Sequence, residues 1–239
     1  MKLSVIVPTL NEERGLRRSL TSIPPDAEII VADGRSVDRT RDVAASCGAR
    51  VVVGRPGRAV QSNSGAEHAS GDALLFLHAD CMLGPGAMAA IEDALSESRV
   101  VGGSFHLRVH PARFALSVTA FGSNLRARLL HLPYGDQALF VRRSVFDELG
   151  GYPDIPIMED VALVRKLKKR GRLCHLGVGV TTTTRHWETL GPLLTTLVNA
   201  TALVAFLLGM PPSRLAEWYH GLRRDSDAAV QNPTLATGK

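Results

Sequence analysis

Residues 74–81 read Leu-Leu-Phe-Leu-His-Ala-Asp-Cys, and this stretch decides how the rest of the chain is interpreted. Its apolar start is typical of a short buried strand, and the run ends abruptly at His78 and Asp80. A carboxylate and a candidate metal ligand therefore lie at the carboxyl end of a strand. In open α/β sheets, ligands bind along that edge.

Strands and helices alternate upstream of this stretch. Strands are predicted at residues 3–7, 28–32 and 50–53, and a helix of small residues at about 59–69. Asn11 is a good N-cap residue, so we expect it to begin the first helix. The alternation predicts an α/β fold with a mostly parallel central sheet that is flanked by helices.

The alternation of strands and helices is less regular downstream of Asp80. Helices are predicted at residues 85–95, 114–132 and 159–171, and strands at 100–109 and 138–141.

A segment without any charged residue follows, from Thr189 to Ser213. It is long enough to span a bilayer, but Asn199 and several threonines disfavour a helix that faces lipid. We expect an amphipathic or buried helix that docks on the domain, on the partner subunit of a homodimer or on the membrane surface. The basic helix after it, with Trp218 and Tyr219, suits such an interface.

Composition and charge narrow the class of function. The 239 residues are 45% hydrophobic and 21% charged, which suits a large α/β domain with a substantial core. The net charge of +5 is mild, and the basic residues form no stripe with interleaved aromatics, so no nucleic-acid partner is expected. The three cysteines match no metal-binding spacing and indicate a reducing compartment. The apolar run at the start is too short for a signal peptide, so we expect a cytoplasmic protein.

Three polar residues flank the predicted strands in positions where a nucleotide could bind. Asp33 ends the second strand in a glycine-rich turn, where its carboxylate could bond a ribose or a base, or simply stabilise the turn. Arg58 and Asn63 precede the central strand. An arginine there can pair with a diphosphate in bidentate fashion, and the alternative is a solvated surface.

His78 and Asp80 lie on the same side of an extended segment, because side chains alternate with a period of two. Asp80 could bind a divalent cation that also holds diphosphate oxygens, since magnesium needs only one or two protein carboxylates. A histidine ligand would favour manganese or a similarly softer ion. One histidine and one aspartate are a weak metal signal on their own.

Two later clusters could also do chemistry. Glu159 and Asp160 begin a predicted helix, where acids are stabilising in any protein, but one of them could act as a general base. Arg185, His186 and Trp187 combine a cation, an imidazole and an aromatic plate. They could bind a diphosphate, a metal or an acceptor sugar, or they could form a packed corner.

The ordered set of these motifs, over about residues 1–190, resembles family-two glycosyltransferases, which are inverting enzymes of the GT-A fold. The chain is most similar to a short subgroup with His-Ala-Asp where most members have Asp-X-Asp, sometimes labelled arsenosugar-biosynthesis glycosyltransferases. The motifs that carry the resemblance are Val5–Glu12, Val31–Asp38, Asn63–Asp72, Leu77–Asp80 and Glu159–Asp160.

The resemblance implies transfer of one sugar, in a hexosyltransferase-like reaction, from a nucleoside-diphosphate sugar to an acceptor hydroxyl with inversion, assisted by Mg²⁺ or Mn²⁺. Asp160, with Glu159 beside it, would deprotonate the acceptor, and Asp80 and His186 would hold the metal. The residues implied to bind the nucleotide sugar are Pro8, Asn11, Glu12, Asp33, Arg58, Asn63, His78, Arg185 and Trp187.

Other functions remain open at this point. Arg185 and Trp187 are separated where processive members have adjacent Arg-Trp, so a single transfer is favoured over polymer synthesis. A nucleotidyltransferase is one alternative, although its glycine-rich phosphate loop is missing from the first turn. A membrane-associated nucleotide-sugar-binding protein with a degenerate site is another, because His78 replaces an acid. A dinucleotide enzyme would need G-x-G-x-x-G after the first strand, where residues 8–11 are Pro-Thr-Leu-Asn.

Three regions are therefore expected. Residues 1–188 would form the GT-A glycosyltransferase domain, 189–224 an apolar and amphipathic helical extension, and 225–239 a disordered tail. The protein would be cytoplasmic, either free or peripheral to the inner face of the membrane.

Overall fold

The computed structural model describes residues 1–188 and 190–231, without the side chains of His186 and of 223–231. Its strands are β1 Leu3–Thr9, β2 Glu28–Asp33, β3 Arg50–Val53, β4 Ala73–Phe76, β5 Cys81–Leu83, β6 Val100–His110, β7 Leu139–Arg142 and β8 Arg172–Thr183. Its helices are α1 Leu16–Thr21, α2 Thr40–Ser46, α3 Arg58–Glu67, α4 Ala87–Ser96, α5 Phe114–Leu130, α6 Arg143–Glu148, α7 Glu159–Leu167, α8 Arg185–Glu188, α9 Gly191–Leu207 and α10 Pro212–Gln231. A 3₁₀ turn covers Gly135–Gln137.

The strands form one eight-stranded sheet in the order β3-β2-β1-β4-β7-β6-β8-β5. Strands β1 to β4 are parallel to one another, as are β6 and β8. Strand β7 runs antiparallel between β4 and β6, and β5 pairs antiparallel with β8. The prediction of an α/β fold is confirmed. The sheet is mostly parallel, and apolar helices follow it at the C-terminal end of the chain.

Both faces of the central strands are buried, which explains their near-continuous apolar sequences. In β1, Val5 and Val7 pack into the core on one face of the sheet, while Ile6 packs into the core on the other face. A third apolar cluster joins α7 to the C-terminal helices through Val161, Val198 and Leu215, among other residues. Helices α9 and α10 therefore pack against the domain.

The expected start of the first helix was wrong. Helix α1 begins at Leu16 after Gly15, whereas Asn11 has a left-handed φ of 56° and lies in the preceding turn. The Asn11 side-chain oxygen accepts a hydrogen bond from the Val37 backbone nitrogen at 2.9 Å. Asparagine tolerates the left-handed conformation better than most residues, and it is used here to shape a turn instead of a cap.

Strands β5 and β8 and helix α6 were not expected from the sequence. Glycines and consecutive threonines dilute the apolar alternation of β8, and glycine in a strand marks a close backbone approach. A Cβ at Gly179 would lie 2.7 Å from Arg108 Nε on the neighbouring β6. Helix α7 ends at Leu167, four residues before the expected end at Gly171.

The C-terminal prediction also needs correction. Helix α10 continues to Gln231, so residues 225–231 are helical where a disordered tail was expected. Residues 232–239 of that predicted tail lie outside the described residues. Within the described ranges, none of the helices, α9 included, is long and apolar enough to cross a bilayer.

Gly65 sets how closely α3 approaches the sheet, because a Cβ at this position would overlap Ile6 Cγ2. We expect Gly65→Ala to lower the free energy of unfolding by about 1–3 kcal/mol, since a packed core resists an added methyl group. Denaturant unfolding would measure the change. The matched control is Gly122→Ala in α5, where the new Cβ meets no atom within 4 Å. Removing the entropy cost of glycine should raise the free energy of unfolding there by about 0.5–1 kcal/mol. A Gly65→Ala protein that is at least as stable as the parent would contradict the packing argument.

Candidate active site

A cleft of about 1160 Å³ opens where β1 and β4 end. The chain runs outward from β1 through β2 to β3 and then returns to place β4 on the other side of β1. This reversal of strand order is the topological switch point at which α/β proteins bind ligands. Pro8 and Thr9 from β1, and His78 and Asp80 after β4, line the cleft there.

The cleft brings together most of the residues that the sequence singled out. Asn11, Asp33 and Asn63 are not part of its lining, and the side chain of His186 lies outside the described residues. The predicted residues that line the cleft are Pro8, Glu12, Arg58, His78, Asp80, Glu159, Asp160, Arg185 and Trp187.

Asp33 and Asn63 make structural contacts just behind the cleft. The buried Asp33 carboxylate accepts hydrogen bonds from the Ser36 backbone nitrogen at 2.9 Å and from Ser36 Oγ at 2.5 Å. Asn63 bonds the backbone of Tyr152 in both directions, at 2.8 and 2.9 Å. Together with Asn11, these side chains shape the surrounding turns, and their contacts with a nucleotide sugar stay predictions.

Arg185 crosses from the C-terminal end of the domain to the end of β1. Its guanidinium Nη2 lies 2.7 Å from Glu12 Oε2 and 3.8 Å from Asp80 Oδ2. The Arg185 side chain is 51% exposed, whereas those of Glu12 and Asp80 are 19% and 17% exposed. A half-exposed cation is thus held between two acids at the floor of the cleft, within reach of an anionic ligand.

Three potential metal-ligating atoms lie close together beside Arg185. One ligand atom each from His78, Asp80 and Cys81 fall within 4.8 Å of one another. Burial raises the pKa of the Cys81 thiol well above its ordinary value, and the charge of Asp80 adds to this effect. In the free protein Cys81 is therefore a thiol, and Asp80 and His78 are the better donors for a hard or borderline divalent cation.

Asp160 is held from two sides by backbone donors. Gly135 N donates to its Oδ2 and Val161 N to its Oδ1, both at 2.7 Å. Met158, with a left-handed φ of 63°, turns the chain into α7 just before the acids. A Cβ at Gly135 would lie 2.8 Å from His78 Nε2, so a side chain at this position would displace the imidazole. Glycine here lets the 3₁₀ turn lie close to His78.

Asp136 is a cleft residue that the sequence reasoning missed. Burial raises its pKa to about 6, the charges of Asp160 and Asp80 push in the same direction, and Arg126 and Arg58 partly offset them. Its Oδ1 atom is buried without a hydrogen-bond partner among the described residues. The signal that could have found it is a Gly-Asp-Gln run directly before an apolar strand.

Burial and the neighbouring Asp160 also raise the pKa of Glu159. Four acids therefore share this part of the cleft, and two of them hold their protons more tightly than an exposed acid does. Such a concentration of negative charge favours the binding of a cation.

The far wall of the cleft is aromatic and includes the C-terminal helices. The Arg126 guanidinium carbon lies 3.5 Å from the centre of the Tyr134 ring, and burial raises the pKa of Tyr134 to about 12. Tyr219 of α10 donates a hydrogen bond to the side-chain oxygen of Asn199 in α9 at 2.9 Å. Both of these residues line the cleft, so the helical extension is part of the site.

Known glycosyltransferases are similar to this chain in sequence. The family model described as Glycosyl transferase family 2 matches residues 4–150. A glycosyltransferase of PGL/p-HBAD biosynthesis from Mycobacterium bovis is 30% identical over 164 residues, which cover 62% of this chain and 62% of that protein. An uncharacterized glycosyltransferase from Nostoc sp. is 30% identical over 120 residues, which cover 46% of this chain and 37% of that protein. The matches thus span less than two thirds of the length of these curated relatives.

Solved structures show the same fold. Glucosyl-3-phosphoglycerate synthase from Mycobacterium tuberculosis, in complex with Mn²⁺, uridine diphosphate and glucosyl-3-phosphoglycerate, superposes with a TM-score of 0.61 at 21% identity. The superposition covers 88% of this chain and 80% of that one. The expected GT-A fold is therefore confirmed.

The raised pKa of Asp136 has a consequence for stability. The folded state is more stable when Asp136 is protonated than when it is charged. This stability is lost as the pH rises from about 4 through about 6. We expect Asp136→Asn to be more stable than the parent at pH 8, by up to about 3 kcal/mol, with the difference closing near pH 4. Urea unfolding at both pH values would measure it. The exposed Asp26→Asn is the matched control, and a stability difference at Asp136 that does not change with pH would rule out the burial effect.

Proposed function

The chain belongs to glycosyl transferase family 2, and on that premise we propose that it transfers a single sugar, with inversion, from a nucleoside-diphosphate sugar to an acceptor hydroxyl. The observation that carries the proposal is the meeting of Asp80, Asp160 and Arg185 in one cleft at the switch point of the sheet. These residues come from distant parts of the chain. Such a transfer requires an acid that holds the metal, an acid that deprotonates the acceptor and a cation that binds the diphosphate.

The donor would bind on the β1 side of the cleft. Arg58 is the first residue of α3 and lines the cleft, where its guanidinium can pair with a diphosphate in bidentate fashion. Arg185 would be the second cation, exchanging its bond to Glu12 for one to the diphosphate. Pro8 and Thr9 would border the nucleoside.

A divalent cation, Mn²⁺ or Mg²⁺, would be held by Asp80 and His78. These residues fit such an ion because their ligand atoms are clustered with that of Cys81 and lie beside two acids of raised pKa. When bound, the ion offsets the negative charge that grows on the departing nucleoside diphosphate. The predicted ligand His186 stays a prediction.

Asp160 would act as the general base. The acceptor oxygen attacks the anomeric carbon, the bond from that carbon to the diphosphate oxygen breaks, and the acceptor proton moves to Asp160. Each Asp160 oxygen accepts one backbone hydrogen bond. Since a carboxylate oxygen has two lone pairs, each still has one with which to receive the acceptor proton. Glu159, with its raised pKa, would remain protonated more often and leave this role to Asp160.

The finer assignment follows from the same residues. We propose that the chain is one of the short members with His-Ala-Asp in the metal motif, and that its transfer is hexosyltransferase-like. The separation of Arg185 from Trp187 favours transfer of one sugar over synthesis of a polymer.

Removal of the base should stop the chemistry and spare the binding of the donor. We expect Asp160→Asn to lower the rate of nucleoside-diphosphate release from UDP-glucose or GDP-mannose by about 10²–10⁴-fold. Water serves as acceptor in this assay, with Mn²⁺ present. Calorimetry should give a donor affinity close to that of the parent. The control is the exposed Asp147→Asn, and an Asp160→Asn protein that turns over at the parent's rate would remove this residue from the base role.

Loss of the metal ligand should act on affinity instead. Calorimetric titration with UDP and GDP, with and without Mn²⁺, should show that the ion tightens binding to the parent. We expect Asp80→Asn to lose most of this gain, about tenfold or more, while its metal-free affinity stays near that of the parent. Asp42→Asn serves as the control. A metal-dependent gain of equal size in Asp80→Asn would show that this carboxylate does not hold the ion.

A further inference from the structure

Helix α5 carries a continuous apolar stripe on the side that faces solvent. Phe114 is 88% exposed and Phe121 67% exposed, and they alternate with exposed aliphatic residues at a spacing of three or four positions. The opposite side of the helix is buried against the sheet. Single exposed apolar residues are common in proteins, but a contiguous stripe marks an interaction surface. The stripe consists of Phe114, Val118, Phe121, Leu125 and Leu129.

Helix α9, which packs beside α5, has a second stripe of the same kind. Thr119 Oγ1 of α5 lies 3.2 Å from Thr196 Oγ1 of α9. The stripe on α9 consists of Leu193, Leu197, Val204 and Leu208, which are 54–83% exposed. Its opposite side is buried, with Val198 and Ala202 in the cluster that joins α7 to α10.

The two segments that carry the stripes contain no carboxylate. The sequence holds no aspartate or glutamate between Ser98 and Gly135, nor between Thr189 and Ser213. Arg113 precedes the α5 stripe and Arg128 lies along its edge, and both are exposed. An apolar strip bordered by arginines and free of carboxylates is complementary to the surface of an anionic membrane.

We propose that the stripes of α5 and α9 dock the protein on the surface of an anionic lipid bilayer. The phenylalanine and leucine side chains enter the boundary between headgroups and acyl chains. The arginines near the headgroups add electrostatic attraction to the anionic lipids. Neither helix needs to cross the bilayer for this mode of binding.

A second copy of the chain fits this surface less well. A twofold interface places the same patch of both copies against each other. The arginines of α5 in one copy would then approach those of the other copy, with no carboxylate on either helix to neutralise them. Burying unpaired charges is costly, whereas the phosphates of anionic lipids provide the missing partners.

Vesicle flotation tests the proposal with the full chain. We expect the protein to float with vesicles of phosphatidylcholine and phosphatidylglycerol, to float weakly with phosphatidylcholine alone, and to be released by added salt. Phe114→Ser combined with Phe121→Ser should lower binding to the anionic vesicles by about tenfold or more, since two aromatic side chains that would enter the bilayer are lost. Arg113→Ser combined with Arg128→Ser should remove the preference for anionic vesicles and leave the weak binding to phosphatidylcholine.

The matched control is Val37→Ser, at a 90% exposed position outside the stripes, which should float like the parent. The changed side chains are all exposed, so the variants should melt at the parent's temperature. Sedimentation analysis without vesicles should show a monomer. No flotation of the parent with anionic vesicles, or a dimer that Phe114→Ser and Phe121→Ser dissociate, would overturn the proposal. Neither result depends on whether the protein transfers sugars.

Discussion

The structure depends on how it tolerates four acids in one part of a half-buried cleft. Asp80, Asp136, Glu159 and Asp160 repel one another, and burial adds to the cost of charging Asp136 and Glu159. The protein reduces this cost in two ways: Asp136 and Glu159 retain protons more tightly than exposed acids, and arginines stand close by. The remaining negative charge favours the binding of a cation in this part of the cleft.

Arg58 and Arg185 line the cleft from separate elements, since Arg58 begins α3 and Arg185 begins α8. Arg126 of α5 is not part of the lining, and its charge lowers the pKa of Asp136. Helix α3 must pack closely on β1 to bring Arg58 into the cleft, and Gly65 permits that approach. Gly135 has the same function for the acids, because it lets the 3₁₀ turn approach His78 and donate a hydrogen bond to Asp160. The close packing at these two glycines therefore determines where charged groups of the cleft lie.

The first half of the fold was predictable from the sequence, whereas several parts of the site were not. The alternation of strands and helices up to Asp80 is a local pattern, and ligand sites at strand ends follow from topology. Asp136 has no local signal of comparable strength, because its raised pKa comes from burial and from acids that are distant in sequence. Asn63 bonds Tyr152, which is 89 positions away, and no periodic pattern in the sequence predicts such a contact. A helix was predicted at 114–132, but which of its faces the sheet covers depends on tertiary packing.

The ion pair between Arg185 and Glu12 leaves the arginine half-exposed at the cleft. A salt bridge with one half-exposed partner contributes only about 0–1 kcal/mol to stability, so its exchange for a phosphate costs little. A fully buried pair would be different, because removing one partner leaves a charge that solvent cannot reach. The Arg185 side chain is 51% exposed and Glu12 only 19% exposed, so the arginine is the partner that can move. The same pair also ties α8, which precedes the C-terminal helices, to the turn that follows β1.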